Sequence, residues 1–185
     1  MHATEILQEG LCLPTLKLYD AGKPNTTLLK IIEKNTRQPV QVLGDLKAQL
    51  AACSIGGAQF CLDRTVEYMR ERKQFGSKLS DFQALRFRVA DYATELEASR
   101  LMVRRAALAV TNKEPNGTRL AAMAKRLATD AGFEVVNGCL QLHGGYGYLR
   151  DHPIERVLRD VRVHQILEGT NEVMRLIVSR DMLDN

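Results

Sequence analysis

The chain has 185 residues, of which 45% are apolar and 26% charged. That is the mix of a folded globular chain, and it excludes a disordered tail or a disulfide-stapled miniprotein. Lysine and arginine outnumber the acids 26 to 22, for a net charge of +4, without tryptophan or a block of like charge; such a footprint is too weak for nucleic-acid binding.

The opening MHATEILQEG has neither the apolar core of a secretory signal nor the Arg-rich pattern of a transit peptide. No apolar run reaches the ~18 residues a membrane span needs. The expectation is a cytoplasmic chain with no membrane partner. Cys12, Cys53, Cys61 and Cys139 form no CxxC pair, so they read as reduced packing thiols. The first forty residues hold Pro14, Pro24 and Pro39 and read as a turn-rich extended stretch, then a helix from Asn25 or Thr26 to Arg37.

From Val40 onward the pattern is helical. The first long helix is predicted over Val40 to Arg72, with Leu43, Leu46, Leu50, Cys53, Gly57 and Cys61 spaced by threes and fours. Gly56 and Gly57 weaken it by roughly 1 kcal/mol each, which calls for a packing or functional reason. The second helix follows Ser80, a candidate N-cap with Gln83 three residues on. Its stripe is Leu85, Val89, Tyr92, Leu96, Ser99, Val103, Ala106 and Val110. KEPNG makes a turn, and a third helix starts at Thr118 with the stripe Leu120, Ala124, Leu127, Ala131, Val135, Gly138 and Leu142. Its small residues Ala121, Ala122, Ala124, Ala128, Ala131 and Gly132 admit a close neighbour. HGGYGYLR stops it. A short helix is predicted over Asp151 to Arg159, and a last one over Glu168 to Met182 with Val173, Leu176 and Ile177 on one side. Three long helices and a shorter one predict an all-α, antiparallel four-helix bundle with a short N-terminal extension.

Four segments carry polar chemistry. ERKQFG (Glu71–Gly76) offers Arg72 and Lys73 to a phosphate, although cations also suit a helix C-terminus. QLHGGYGYLR (Gln141–Arg150) has paired glycines that let backbone approach a ligand. It also serves as a plain helix stop, and a lone His143 is more often structural than a base. In ILEGTNE (Ile166–Glu172), burial of Glu168 among apolar neighbours would raise its pKa toward that of a general base. Its simpler role is a first-turn acid at a helix N-terminus. In RDVRVHQ, Arg159, Arg162 and Asp160 read as ion-pairing residues. His2, His152 and His164 show no metal-ligand spacing, so no metal is assigned.

Taken in order, RKQFG, DFQAL, QLHGGYGYLRD and RDVRVHQILEGTNEVMR resemble the C-terminal helical domain of the acyl-CoA dehydrogenases, especially short and branched-chain members of the isobutyryl-CoA dehydrogenase type. The likeness covers about residues 51–185. It implies an FAD-dependent oxidoreductase that removes the α-proton of an acyl-CoA with a glutamate. The β-hydrogen leaves as hydride to the flavin, and the product is a 2,3-enoyl-CoA. By resemblance Glu168 is the base and its own N–H one of two donors to the thioester carbonyl. Gly169 leaves room for the acyl chain. Arg72, Gln74 and Phe75, then Phe82 and Gln83, match contacts to FAD bound by a neighbouring subunit. Gln141, Leu142, His143, Gly144 and Gly145 match a loop on the adenosine half of FAD, and Thr170 and Glu172 match contacts near the flavin. The implied partners are acyl-CoA, an electron-transfer flavoprotein as acceptor, and further copies of the chain in a dimer or tetramer.

Two features depart from that family. Its N-terminal helical domain and β-domain have no counterpart here, and Lys47 stands where an Arg is usual in a GGR-like stretch. Residues 1–50 instead resemble the hydantoinase B / acetone carboxylase α-subunit family through LP, KLY, N-x-R-x-P and VLGDL-x-AQ. That implies a fused or truncated chain joined near Ala51 to Cys53; the alternative is that the first fifty residues are divergent. The rival to an enzyme is a helical oligomerisation module without activity.

Overall fold

In a computed structural model, residues 40–184 of the chain are described, with side chains from Lys47 onward. The predicted helix ending at Arg37, Cys12 and most of the N-terminal extension lie outside the described residues. Three apolar stripes become three long helices: α1 (Val40–Glu71), α2 (Gln83–Thr111) and α3 (Gly117–His143). Two shorter ones follow, α4 (Ile154–Arg162) and α5 (Asn171–Leu183). The only sheet among the described residues is a hairpin of two-residue strands, β1 (Lys73–Gln74) and β2 (Ser77–Lys78), paired antiparallel. The fold is all-α, as predicted.

α3 is the centre of the bundle and contacts all four other helices. Its Gly132 faces Ser54 of α1 and its His143 stacks on Tyr68, so α1 and α3 run parallel. Tyr92, early in α2, meets Gly138, late in α3, so α2 runs antiparallel to α3. α5 also runs against α3, through Lys125 to Asn171 and Arg119 to Asp181.

Small residues set how closely these helices approach. A Cβ on Gly132 would lie 3.1 Å from the Ser54 carbonyl oxygen. A Cβ on Gly57 would lie 3.3 Å from Val157 and Val161, the α4 side chains that pack there, which supplies the packing reason that glycine called for. One core cluster joins Ala58, Cys61 and Leu62 to Leu96, Val135, Val136, Cys139, Ile154, Val157 and Val161. A second joins Ala51, Ile55, Val103, Ala106, Ala124 and Ala128. Cys53, Cys61 and Cys139 are buried thiols outside any disulfide. Burial pushes the Cys61 thiol well up and Cys139 up to about 11, so neither is a ready thiolate.

Several predicted ends are corrected. α2 begins at Gln83 with Phe82 as its N-cap, and no side chain caps it. Ser80 sits instead in a 3₁₀ turn, Leu79–Asp81, where the Asp81 carboxylate accepts the Lys78 N–H at 3.2 Å. The short helix runs Ile154–Arg162, starting after Pro153, whose missing N–H costs nothing there. The last helix begins at Asn171, not Glu168, because Glu168 and Gly169 both take positive φ, +57° and +88°, which no right-handed helix admits. Its buried face is Asn171 and Met174, while Val173 and Leu176 of the expected stripe stay 43% and 46% exposed.

ERKQFG is not a bare helix terminus. α1 stops at Glu71 and the chain reverses through Phe75 (φ 53°) and Gly76 (φ 82°), the two positive values of a type I′ hairpin turn. Phe75 is left 94% exposed at the tip.

A candidate active site split between two ends of the bundle

Glu168 lies between a 3₁₀ turn, Val163–Gln165, and α5. The N–H groups of Ile166 and Leu167 both turn back to the Val163 carbonyl, at 2.9 and 3.0 Å, and spend that turn. The left-handed step at Glu168 then redirects the chain into α5, which Thr170 caps by accepting the Val173 N–H at 3.4 Å. A non-glycine residue in this region costs about 1–3 kcal/mol, which the surrounding contacts must offset. Glu168 is half-buried. Two lysines direct charge at it: Lys47 of α1 and Lys125 of α3, both buried.

Lys125 has no exposed surface. Its ammonium donates to the Gln165 carbonyl at 3.3 Å, the Gly169 carbonyl at 2.9 Å and Asn171 Oδ1 at 2.8 Å. Burial pulls its pKa down to about 8, against the opposing pull of Asp130, Glu172 and Glu168. Burial likewise lowers Lys47, with Glu168 opposing. Asn171 Nδ2 donates to Thr129 Oγ1 at 2.9 Å and to Asp130 Oδ1 at 2.7 Å, and Gln165 Nε2 donates to Asp130 Oδ1 at 2.8 Å. Arg126 and Arg175 reach the other Asp130 oxygen. Glu172, exposed at the first turn of α5, is held below the usual carboxylate range by a backbone N–H and the Thr170 hydroxyl. His164 is buried with Nδ1 2.8 Å from Ser54 Oγ, and burial depresses it to about 4.

Of the other candidates, Gly169, Thr170 and Glu172 stay beside Glu168, and the rest lie toward the far end of α3. Arg72, Gln74, Leu142, His143, Gly144 and Gly145 line one cleft of about 550 Å³ with Tyr68 and Tyr146. The Arg72 guanidinium lies 5.0 Å from the Tyr146 ring centre, tying the hairpin to the glycine loop. His143 stacks on Tyr68 at 4.2 Å, and its Nδ1 donates to the Cys139 carbonyl at 2.9 Å. Burial lowers its pKa, and its environment is that of a structural wall rather than a base. A Cβ on Gly144 or Gly145 would find nothing within 4 Å, so the loop presents open backbone. Phe75, Gln83 and Gln141 are exposed and Phe82 is half-buried, all outside that lining. A second cleft of about 1000 Å³ shares the Tyr68–His143 wall and is framed by Arg64, Arg150, Arg156 and Arg159 with four acids. The RDVRVHQ ion pairs are realised only in part: Arg159 pairs with Glu155, but Arg162 bonds Gln165 at 3.1 Å and covers the Phe133 ring.

Lys125 and His143 mark the two ends, and 18 helical residues set them about 27 Å apart. A single copy therefore does not bring Glu168 to the Arg72–Gly145 cleft.

A family model described as "Acyl-CoA dehydrogenase, C-terminal domain" matches residues 37–183. The chain belongs to the acyl-CoA dehydrogenase family. The mitochondrial isobutyryl-CoA dehydrogenase of Dictyostelium discoideum is 52% identical over 136 residues, covering 74% of this chain and 33% of that protein. The CarC subunit of the caffeyl-CoA reductase–Etf complex of Acetobacterium woodii is 38% identical, covering 94% of this chain and 46% of that one. Among solved structures, the butyryl-CoA dehydrogenase of Megasphaera elsdenii superposes with a TM-score of 0.73 at 38% identity, over 76% of this chain and 37% of that chain. The acyl-CoA dehydrogenase-like chain thus spans a third to a half of the length of these relatives. A second model, hydantoinase B/oxoprolinase, matches residues 1–71. The two matches overlap over residues 37–71, within which α1 runs as one helix from Val40. Among the described residues no helix is long and apolar enough to cross a membrane.

Sequence reasoning missed Lys125, Asn171 and Asp130. Lysine in a helix ordinarily reads as solvated, yet Lys125 falls in register with the small stripe Ala121, Ala128 and Gly132. That register was the available signal.

Proposed function

We propose that residues 51–185 form the C-terminal helical domain of an FAD-dependent acyl-CoA dehydrogenase acting on a short or branched acyl-CoA, and that residues 1–50 are a hydantoinase B-like extension. Glu168 is the base. The observation that carries the reading is the strained left-handed placement of this one half-buried carboxylate beneath two buried ammonium groups. Lys47 and Lys125 supply the positive field, so Lys47 serves Glu168 rather than anchoring acyl-CoA. Gly169 leaves room for the acyl chain beside Glu168, where a Cβ would meet Met174 Cε at 2.9 Å.

The far cleft suits FAD. Arg72 offers a phosphate a planar cation, Gly144 and Gly145 offer open backbone, and Tyr146 offers an aromatic face. Bound FAD would supply the acceptor for the β-hydrogen. Glu168 takes the α-proton onto its carboxylate, and the polarised thioester carbonyl stabilises the charge that develops. The ~27 Å between the ends supports sites completed by a second copy of the chain. The name of the A. woodii relative, a subunit of an Etf complex, supports an electron-transfer flavoprotein as acceptor.

The test supplies the parts of the relatives that this chain does not cover. Residues 51–185 replace the corresponding domain of a complete isobutyryl-CoA dehydrogenase. The chimera should purify yellow and reduce dye with isobutyryl-CoA. Glu168→Gln should cut that rate by at least ~10²–10⁴-fold, the usual contribution of a positioned base, while Glu172→Gln loses flavin more than rate. A flavin-loaded chimera fully active as Glu168→Gln would sink the assignment. A colourless chimera of intact fold would favour the oligomerisation module.

A further inference from the structure

Gln165, Gly169 and Asn171 surround the left-handed kink, and all three direct an acceptor at one buried side chain. We propose that Lys125 is the positioning residue for Glu168: its ammonium clamps the segment on both sides of the kink and so holds the carboxylate in its reactive place. This rests on the reading of Glu168 as the base. The match is stoichiometric. An ammonium has three N–H donors, and three acceptors lie at 3.3, 2.9 and 2.8 Å. Two of those acceptors are backbone carbonyls that the kink has removed from helical pairing, one on each side of Glu168. An unmade bond to either would leave an N–H of the fully buried Lys125 ammonium unsatisfied. Lys125 does not touch the reacting atoms; it acts through the backbone that carries Glu168.

The clamp also has a titration. A neutral amine keeps two N–H donors for three acceptors, so deprotonation near pH 8 must release one bond. The charged groups around it are Lys47 from α1, Asp130 from α3 with Arg126 and Arg175 on it, Glu168 itself, and Glu172 from α5. His164 stays neutral throughout that range.

The experiment uses the full chain labelled with ¹⁵N-glutamate, the Glu168 amide being assigned as the signal missing from Glu168→Gln. A strong intraresidue HN–Hα Overhauser contact reports positive φ at Glu168. It should be present in the parent chain and lost in Lys125→Met, which keeps the length of the side chain without its donors. The Glu168 amide of the parent should step as pH rises through about 8. That step should survive Lys47→Met and vanish in Lys125→Met. Retention of positive φ and an unmoved amide in Lys125→Met would overturn the proposal. If Lys125→Met does not fold, the parent and Lys47→Met decide: no step between pH 6 and 10, or loss of the step in Lys47→Met, overturns it. Neither outcome depends on turnover, so a failed base assignment in the chimera is read separately.

Discussion

His164 gives the bundle an acid-sensitive joint whose strength follows from its surroundings. The ring is 2% exposed, with Nδ1 2.8 Å from Ser54 Oγ, which itself donates to the Leu50 carbonyl at 3.2 Å. Burial, with the Lys125 charge adding to it, brings its pKa from 6.5 down to about 4. The unfolded chain therefore takes up this proton as pH falls through about 6.5, and the folded chain only through about 4. Between those values the unfolded state binds more protons, so stability falls with falling pH. At ~1.36 kcal/mol per pKa unit the loss is about 3 kcal/mol, complete below pH 4. The perturbation is His164→Asn, whose amide can still meet Ser54 Oγ but does not titrate. Urea unfolding of both chains from pH 7 to pH 4 should show the parent losing about 3 kcal/mol relative to the variant, since all other groups are common to both. Parallel curves across that range would refute the argument.

Three further outcomes follow from packing and backbone geometry. Gly132→Val drives methyl groups into the Ser54 backbone and should destabilise the chain by about 1–3 kcal/mol in urea unfolding; a neutral result would mean α1 and α3 are not in close contact there. Val157→Ala empties a fully buried site facing Gly57 and should cost about 2 kcal/mol, read as a lower denaturation midpoint with an unchanged slope. Phe75→Asn suits the positive φ at the hairpin tip and should raise the melting temperature by about 2 °C; no rise in a thermal melt would count against the type I′ turn.

The bundle was legible because its stripes are apolar and small. Leu96, Ser99, Val103 and Ala106 of the expected α2 stripe are buried, joined by Ala107 and Ala109, while its two ends at Leu85, Val89, Tyr92 and Val110 are half-buried. The same counting misled at α5. Val173 and Leu176 were the expected apolar stripe, but the α3 surface that α5 meets holds Lys125 and Thr129, so Asn171 turns inward to bond them beside Met174. A stripe count has no way to register a polar seam. The hairpin escaped for another reason: strands of two residues leave no room for alternation, and Phe-Gly is not among the usual type I′ pairs. At the site, the glycines of QLHGG and the Arg72 segment were readable only as two separate signals, each equally at home as a helix end, yet they line one cleft. What spacing did not reveal was distance: Glu168 belongs to the opposite end.

That distance makes α3 a ruler. From Lys125 to His143 is 18 residues, about five whole turns at 3.6 residues each, so the two side chains leave the same side of the helix. Gain or loss of a single residue between them would shift one end by ~1.5 Å and rotate it by ~100° against the other. The loop that Lys125 grips and the aromatic wall that His143 builds would then fall out of phase. Substitutions along α3 can be absorbed one by one by its neighbours, whereas a change in its length cannot. Chains that share this arrangement should therefore drift in sequence between these two residues yet align there without gaps.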